Sequence, residues 1–486
     1  MTYTLPNRLT VHDVAAVARG AAVRVSASAR EDIERHYHRA NAIAERQPVY
    51  GRSTGVGANR STAAATDPVT HGMNLLRSHA VDAGPAFDAE TTRAMLVVRL
   101  NQLLHPGSGI DPSLIDGLER MLVSGSLPEV RRYGGIGTAD LSALAGAALA
   151  LAGERPTSGG GFEPIGPIRA DSALPFMSSS ALTLGGAALA ASRLASLADA
   201  GIAAFALSAA AARANLSAFS AEAALAVGSP TASRTASRLA GVIGEPTWEP
   251  ARIQDPFAYR GFLPAMSVLT CGVQRLGESV ETLISSSQEN PRFFAEQGVA
   301  VHHGAFLENW LAHELDATAI ALAQTAPLAL GRLRFINDDA FSGLPRFLAP
   351  EPGASSGTMI VEYVSASAMG EVLAAASPVS TQSAVLSCGV EDDATFAPTA
   401  LGKLQRALDG YEVMVACEIL VAVRALRLRG ASRLSPGLTR LIEIADELPS
   451  DVRDRDLRGD VEIATGLIGA IAETVETSEM LVSAGR

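Results

Sequence analysis

Hydrophobic and polar positions alternate along this chain mostly at helical spacing, and short extended or glycine-rich segments interrupt them. Leu9-Thr-Val-His-Asp-Val predicts a strand followed by a helix, and the charge spacing over residues 27–47 predicts a second helix. Further helices are predicted over residues 66–80, 89–104, 112–124 and 141–152. Glycine-rich loops at Gly51–Gly57 and Gly134–Asp140 separate these elements.

From Ser180 onwards the apolar stretches become much longer. They predict helices over residues 181–200, 202–226, 264–286, 305–330, 363–376, 400–428 and 438–476. Alanine-rich faces let such helices approach one another closely, as in a bundle. We therefore predict a mainly α protein with a smaller mixed N-terminal region over residues 1–195 and a bundle of long helices over residues 196–486.

Composition narrows the possible partners. Of the 486 residues, 48% are hydrophobic and 19% are charged, which permits a large core and excludes a disordered chain. The formal net charge of −12 opposes binding to a phosphate backbone, so we expect no nucleic-acid partner. Residues 171–193 form the longest uncharged run, but the run contains Pro175 and paired glycines. We expect a buried helix start there rather than a membrane span.

The cysteines give no sign of a disulfide framework. Cys271, Cys388 and Cys417 are odd in number and widely spaced, and neither they nor the histidines have metal-ligand spacing. The N-terminus lacks the pattern of a signal peptide. We therefore expect a cytoplasmic protein with reduced thiols and no metal site.

Four segments are candidate sites of chemistry, each with a plainer alternative. Tyr50 precedes the first glycine loop, where a phenol with a lowered pKa would act as a base; the alternative is a flexible turn. The second loop opens an apolar helix, whose N-terminus stabilises negative charge or is simply capped. Arg260 is suited to clamp a carboxylate or to form a surface ion pair. Glu391 begins an acidic cluster, for which a solvated turn is the alternative.

A larger set of motifs follows a recognisable order. The set is Tyr50-Gly-Arg-Ser-Thr-Gly-Val-Gly, Asn74-Leu-Leu-Arg-Ser-His79, Arg99-Leu-Asn101 with Gly107-Ser-Gly109, Glu289-Asn-Pro291, and Phe341-Ser-Gly-Leu-Pro345 followed by Ser356-Gly-Thr-Met359. Together these motifs resemble the histidine and aromatic amino acid ammonia-lyase family, from about Asp13 to about Arg429. One such motif is weak evidence, whereas the ordered set is specific.

The resemblance implies a fold, an assembly and an activity. The fold would be the helical one of the fumarase/aspartase-like superfamily, assembled as a homotetramer whose active sites are built by several subunits. The activity would be elimination of ammonia from an α-amino acid without an external cofactor. Family members use a methylidene-imidazolone (MIO) electrophile, which forms autocatalytically from an internal Ala-Ser-Gly.

Site residues carry over by position. Tyr50 resembles the catalytic base, Arg260 the residue that holds the substrate carboxylate, and Glu391 the site glutamate of the histidine-type members. Ser78 and His79 resemble the Ser-His pair at the family's substrate-selectivity position. Two further positions are implied to line the site, the polar Gln254 and the aromatic Phe306.

The electrophile position departs from the family. Gly137-Thr138-Ala139 stands where the family has Ala-Ser-Gly. Ring closure needs a tightly bent backbone, which the Cβ of Ala139 restricts, and Thr138 would give a more crowded and less electrophilic alkene. Ser178 replaces an asparagine that supports the ring, and Phe257 replaces a tyrosine beside it. We therefore predict that the MIO group does not form.

Three functions remain open. The first is a lyase-family enzyme that acts on a carboxylate-bearing, amino acid-like small molecule by elimination, isomerisation or addition. Tyr50 would act as base, Arg260 would orient the carboxylate, and Glu391 would hold an amine or move a proton. The helix start after Thr138 would stabilise enolate-like charge. The second function is a conventional ammonia-lyase or aminomutase with a Thr138-derived ring, and the third is a non-catalytic binding or scaffold protein.

Overall fold

The computed structural model describes residues 2–64, 66–351, 353–430 and 434–475. Helix accounts for 62% of the structure and strand for 7%. Several helices are much longer than the mean of about 11–12 residues in globular domains, among them α8 with 32 residues and α13 with 29 residues. The prediction of a mainly α protein with long helices is confirmed.

The helices of the described chain are α1 (Val11–Ala18), α2 (Ala27–Ala44), α3 (Pro68–His79), α4 (Ala89–Leu103), α5 (Pro112–Ser124), α6 (Leu141–Ala152), α7 (Ala170–Met177), α8 (Ala181–Ala212), α9 (Ala221–Val227), α10 (Pro230–Ile243), α11 (Phe257–Arg260), α12 (Phe262–Ile284), α13 (Asn309–Asn337), α14 (Asp339–Ser342), α15 (Met359–Ala375), α16 (Ala397–Leu428), α17 (Pro436–Ile444) and α18 (Arg458–Gly466). The connections between these helices range from a single residue, as between α11 and α12, to more than twenty residues, as between α12 and α13. Residues 468–475 are also helical.

The strands of the described chain pair only two at a time. A parallel pair joins β1 (Thr2–Leu5) to β2 (Ala22–Val25). Antiparallel pairs join β3 (Ala83–Ala86) to β5 (Arg131–Tyr133), β4 (Leu127–Pro128) to β6 (Thr157–Ser158), and β7 (Arg292–Phe294) to β8 (Val299–Val301). These short ladders fix loops around the helices and do not form a layer of their own.

Side chains at helix starts explain several boundaries. Thr10 accepts from the Asp13 N–H, and Asp13 accepts from the Thr10 N–H, which is a capping box at the start of α1. Asp67 caps α3, which begins with proline at its first position. Asp88 caps α4 in the same way. These starts agree with the sequence prediction within a few residues.

The described chain separates into two compact units whose segments alternate along the sequence. Unit 1 contains residues 1–192, 276–315 and 378–402, and unit 2 contains residues 193–275, 316–377 and 403–486. Most of the unit boundaries fall inside long helices. The division near residue 195 that the sequence suggested stays a prediction about chain organisation.

Three predicted helices are wrong for identifiable reasons. The sequence suggested separate helices over residues 181–200 and 202–226, but α8 runs through Gly201 and ends at Ala212, and α9 begins only at Ala221. A Cβ at Gly201 would lie 2.8 Å from Tyr411 Oη, so glycine here permits close packing of Tyr411. The helix predicted over residues 438–476 is interrupted between α17 and α18, where Pro449 lacks the N–H that helix continuation needs. Its last residue, 476, lies outside the described residues.

One apolar segment is long enough to cross a membrane. Residues 170–212, which include α7 and α8, meet the length and composition of a membrane span, yet 89% of the most apolar window is buried inside the protein. Buried core helices have the same composition as membrane spans. Burial therefore accounts for the uncharged run that the sequence shows over residues 171–193.

Candidate active site

Residues 50–57, the Tyr50 loop, fold against residues 386–391 within unit 1. The Gly57 N–H donates to Tyr50 Oη at 2.7 Å, and the Ala58 N–H donates to Ser387 Oγ at 3.0 Å. Gly57 has a φ of +54°, and a Cβ there would collide with Ser387 Oγ. Glycine is therefore needed at this close approach, which brings the Tyr50 phenol to the loop that carries Glu391.

Two histidines hold the start of the Tyr50 loop. The Tyr50 N–H donates to His302 Nε2 at 3.3 Å. His71 Nε2 lies 3.2 Å from the Gly51 carbonyl oxygen, to which it donates. These contacts link the Tyr50 loop to α3 and to residues 302–308. The same segment also contacts residues 134–140, the electrophile-position loop.

Burial raises the pKa of Tyr50 above the ordinary value of a phenol, and the negative charge of Glu391 raises it further. The Gly57 N–H that donates to the hydroxyl opposes this shift of the pKa. The lowered pKa that would leave a substantial fraction of Tyr50 ionised at neutral pH is therefore not found. With the Tyr50 loop packed against residues 386–391, Tyr50 is a neutral phenol at neutral pH, and the phenolate is a minor species.

Glu391 borders the Tyr50 loop. It pairs with Leu386 in an isolated antiparallel bridge, in which the Leu386 N–H donates to the Glu391 carbonyl at 2.8 Å. A Cβ placed on Gly57 would lie 3.2 Å from Glu391 Oε1, so the carboxylate is adjacent to the loop. The side chain is exposed and forms no ion pair within the described part of unit 1. It is available to a cationic group of a substrate.

The electrophile-position loop is sharply bent at two residues. Gly137 has a φ of +85° and Ala139 has a φ of +71°, while Thr138 pairs with Leu307 in an isolated antiparallel bridge. Left-handed backbone costs an ordinary L-residue roughly 1–2 kcal/mol. Ala139 is only 4% exposed, so its methyl group is packed as well as strained.

The residues of this loop do not fit the MIO precursor of the family. A Cβ at Gly137 would collide with Thr395 Oγ1, so the alanine that the family has there is excluded by the packing. The third position needs the conformational freedom of glycine and has Ala139 instead. Relative to the family, glycine therefore stands at the first position of the triad and alanine at the third, and the surrounding residues leave no room for the reverse order at Gly137.

Ser178 is used by a different part of unit 1. It caps α7, is 5% exposed, and its Oγ accepts from the Asn290 N–H at 3.2 Å. No hydrogen bond joins it to the electrophile-position loop among the residues that the structure describes. Its role in lining a substrate site stays a prediction.

Helix starts meet at the electrophile-position loop. The helix α6 begins directly after Asp140, and Asp140 accepts from the N–H of Thr183 (2.8 Å) in the first turn of α8. Glu308, which immediately precedes α13, donates its N–H to the Gly137 carbonyl at 3.4 Å. Helix N-termini carry partial positive charge. The partial positive charges of these helix starts are suited to stabilising developing negative charge at the loop.

Ser78 and His79 end α3. Both bond to the Leu75 carbonyl, from Ser78 Oγ at 2.9 Å and from His79 Nδ1 at 2.8 Å. Since a carbonyl only accepts, Nδ1 carries the proton, and Nε2 of a neutral His79 is left as an acceptor. Phe306 is half-buried in the segment that carries His302 and Glu308. Their contact with substrate stays a prediction.

Unit 2 holds the remaining predicted residues, and they form one cluster. The Arg260 guanidinium lies 4.7 Å from the centroid of the Phe257 ring, and its Nε donates to the Asp255 carbonyl at 2.7 Å. With its amide oxygen turned toward the guanidinium, Gln254 accepts from Arg260 Nη2 at 2.9 Å. Phe257 is 74% exposed. Arg260 forms no ion pair within the described part of unit 2, so a carboxylate ligand has a free partner there.

Sequence reasoning missed several residues of unit 1. Thr395 Oγ1 donates to the Gly137 carbonyl at 3.0 Å, and His302 accepts from the Tyr50 N–H. Glu308 is a buried acid beside the same loop. A signal for Glu308 existed, because an acid stands between the apolar pairs Phe306-Leu307 and Trp310-Leu311 at a helix start. Nothing in the sequence indicated the contacts of Thr395 or His302.

Comparisons with known proteins agree with this arrangement. The family model for aromatic amino acid lyases matches residues 9–447. A histidine ammonia-lyase from Geobacillus thermodenitrificans is 31% identical over 449 residues, which cover 87% of each chain. The fold matches that of tyrosine aminomutase from Streptomyces globisporus (TM-score 0.91, 24% identity, 98% of this chain and 99% of that one). It also matches the ergothioneine-degrading enzyme ergothionase from Treponema denticola (TM-score 0.89, 23% identity, 97% and 99%).

Proposed function

Because the chain belongs to the aromatic amino acid lyase family, we propose that it is a lyase that works without the MIO electrophile. Its substrate is a carboxylate-bearing, amino acid-like small molecule, and Tyr50 supplies the acid–base chemistry. The observation that carries this proposal is the packing at the triad. Gly137 has no room for a Cβ, and Ala139 occupies left-handed backbone where the family has glycine.

Each residue then has a defined part in an elimination. The phenolate of Tyr50 takes a proton from the carbon next to the leaving group. The electron pair of that C–H bond forms the new C=C bond, and the leaving group departs with its own bonding pair. Arg260 holds the carboxylate by charge-assisted hydrogen bonds, and Glu391 lies beside the cationic nitrogen. The helix starts at the electrophile-position loop stabilise the enolate-like charge.

The absence of an electrophile restricts the leaving group. An ordinary amine leaves poorly unless something withdraws its electrons or protonates it. A quaternary ammonium group departs as a neutral tertiary amine and needs no proton. Ergothioneine, which one structural relative degrades, carries such a group beside its carboxylate. Amino acid betaines are therefore the first substrate class that we propose for this chain, with isomerisation or addition as other reactions of the same base.

The proposed assembly is a homotetramer whose subunits share active sites. Tyr50 and Glu391 belong to unit 1, and Arg260 belongs to unit 2. Exposed Phe257 and unpaired Arg260 support a site that another chain completes.

A second candidate is a conventional ammonia-lyase or aminomutase with a Thr138-derived ring. One observation favours it, because the Gly137 carbonyl accepts from Thr395 Oγ1 and from the Glu308 N–H. Two donors on that oxygen would stabilise the oxyanion formed if the Ala139 nitrogen attacked the carbonyl carbon. The crowding at Gly137 and Ala139 opposes the attack, and we favour the first proposal.

A substrate panel tests the proposal directly. Histidine, phenylalanine and tyrosine would be incubated with the enzyme beside their N,N,N-trimethyl betaines, and the unsaturated acid would be followed by absorbance. We expect conversion of a betaine and none of the free amino acids. Release of ammonia from a free amino acid would support the second candidate. Conversion of nothing, with tight binding of a partner protein, would favour the scaffold function.

The raised pKa of Tyr50 gives a pH prediction. At pH values below its pKa, the deprotonated and active fraction of a base rises about tenfold for each unit by which the pH increases. We therefore expect kcat/KM to rise about tenfold per unit between about pH 5.5 and 6.5, measured on the converted compound. A profile that is flat over this range would contradict Tyr50 as the base.

A further inference from the structure

Glu308 is a buried carboxyl group that the proposed chemistry does not use. Its side chain is 2% exposed, and its N–H donates to the Gly137 carbonyl. Leu307, the preceding residue, pairs with Thr138. The backbone of Glu308 is therefore part of the support of the electrophile-position loop, and its carboxyl group is buried.

The side chain of Glu308 has a neutral partner and no cation. Its Oε1 accepts from Gln288 Nε2 at 2.6 Å, and Gln288 Oε1 accepts from Gln102 Nε2 at 3.1 Å. No basic side chain pairs with Glu308 among the described residues of unit 1. A buried carboxylate without a cation is costly, so the neutral acid is favoured. A glutamine at this position would accept the same hydrogen bond without this cost.

A second buried carboxyl group acts on Glu308. Asp140 is 2% exposed and accepts from the N–H and the hydroxyl of Thr183, at 2.8 and 2.9 Å. Burial raises the pKa of Asp140 to about 6. Burial and the charge of Asp140 raise the pKa of Glu308 to about 7. Two adjacent carboxyl groups resist double ionisation, so Glu308 keeps its proton when Asp140 has lost its own.

The other charged groups of this network compensate each other. Beyond Gln102, Arg99 pairs with Glu289 at 2.9 Å, and both side chains are fully buried. That pair contributes no net charge. The charge of Asp140, on the loop before α6, raises the pKa of Glu308.

We infer that Glu308 is a positioning residue for the proposed reaction, whose neutral acid supports the electrophile-position loop without cancelling the positive potential of the helix starts. When Glu308 ionises, a full negative charge joins that of Asp140 beside the partial positive charges of α6, α8 and α13. The stabilisation of developing negative charge then weakens. This inference rests on the proposed function. Ionisation of Glu308 should make the site less active as the pH rises.

The test is the pH profile of Glu308→Gln. Wild-type kcat/KM should rise up to about pH 7 and then level off, because the gain in Tyr50 phenolate and the loss of neutral Glu308 offset each other. The variant should lack this break and continue to rise, so that it exceeds the wild type about tenfold one unit above the break. Glu296→Gln, which removes an exposed carboxylate of unit 1, should leave the break in place. An unchanged break in Glu308→Gln, or equal loss of activity at every pH, would overturn the inference.

A second measurement does not depend on turnover. Glu308 holds its proton more tightly in the folded chain than in the unfolded one, so ionisation destabilises the fold as the pH rises from about 4.5 to above 7. The Tm of Glu308→Gln minus that of the wild type should therefore increase from pH 5 to pH 8. If no substrate is found but this difference appears, the proposed function fails while the neutral state of Glu308 stands. A constant difference refutes the titration itself.

If Glu308→Gln does not fold, infrared spectroscopy of the wild-type protein tests the same titration of Glu308. Asp140 and Glu308 both contribute to the infrared absorbance of buried neutral carboxylic acids at pH 5.5. Part of this absorbance should persist above the titration of Asp140 near pH 6 and disappear as the pH rises through about 7. Complete loss of the absorbance by about pH 6 would contradict the neutral acid at the loop.

Discussion

Replacing Tyr50 by phenylalanine should lower kcat on the converted compound by about 10²–10⁴-fold, the contribution of a positioned general base. The hydroxyl that is removed is the acceptor of the Gly57 N–H. Loss of one such bond costs about 1 kcal/mol, so the fold should persist with a small change in Tm. Steady-state kinetics and thermal unfolding measure the two effects separately.

A matched control is Tyr3→Phe. Tyr3 is a half-buried tyrosine of unit 1, and its hydroxyl donates to the Asp13 carboxylate. This variant also loses a hydrogen-bonded phenol, but on β1, which pairs with β2 and not with the Tyr50 loop, and it should keep its activity within about twofold. If Tyr50→Phe behaves like this control, Tyr50 is not the base and the proposed chemistry is wrong.

Replacing Arg260 by glutamine should lower kcat/KM by about 10–150-fold, because a charged hydrogen bond contributes about 1.5–3 kcal/mol and no carboxylate among the described residues of unit 2 forms an ion pair with Arg260. Most of the loss should fall on KM, since the carboxylate is held in both the ground state and the transition state. Lysine at the position should recover only part of the loss, because it lacks the planar fork of arginine. Arg234→Gln, an exposed cation of unit 2, is the control.

Mixed tetramers extend this test to the assembly. Tyr50→Phe and Arg260→Gln subunits would be mixed in equal amounts, each being inactive or impaired alone. If each site takes Tyr50 from one chain and Arg260 from another, about a quarter of the sites should regain both residues. No recovery would mean that the two residues act from the same chain or do not share a site.

Much of the fold could be predicted from the sequence because its signals are local. Helical spacing located the long apolar segments, and the structure shows local caps, such as Asp67 and Asp88, at the starts of two shorter helices. Gly201 misled the prediction, since a glycine signals a break locally but serves packing against Tyr411 here. Such a contact joins residues far apart in sequence and leaves no local pattern.

The candidate site could be predicted only in part for the same reason. The motif order assigned Tyr50, Arg260 and Glu391, and the altered triad was visible in the letters of Gly137-Thr138-Ala139. The sequence did not indicate that burial raises the pKa of Tyr50 rather than lowering it. It also did not indicate that Thr395, remote in sequence, fills the space beside Gly137. Electrostatics and packing of this kind depend on contacts that only the folded chain defines.

If the site works without an MIO group, the intact mass of the purified protein should equal that of the unmodified sequence. Peptide mapping across residues 132–141 should recover Gly137-Thr138-Ala139 as ordinary residues. A deficit of two water molecules in that peptide would instead show that the triad cyclises and dehydrates. The protein would then be a conventional MIO-dependent enzyme, and the proposed chemistry would be wrong.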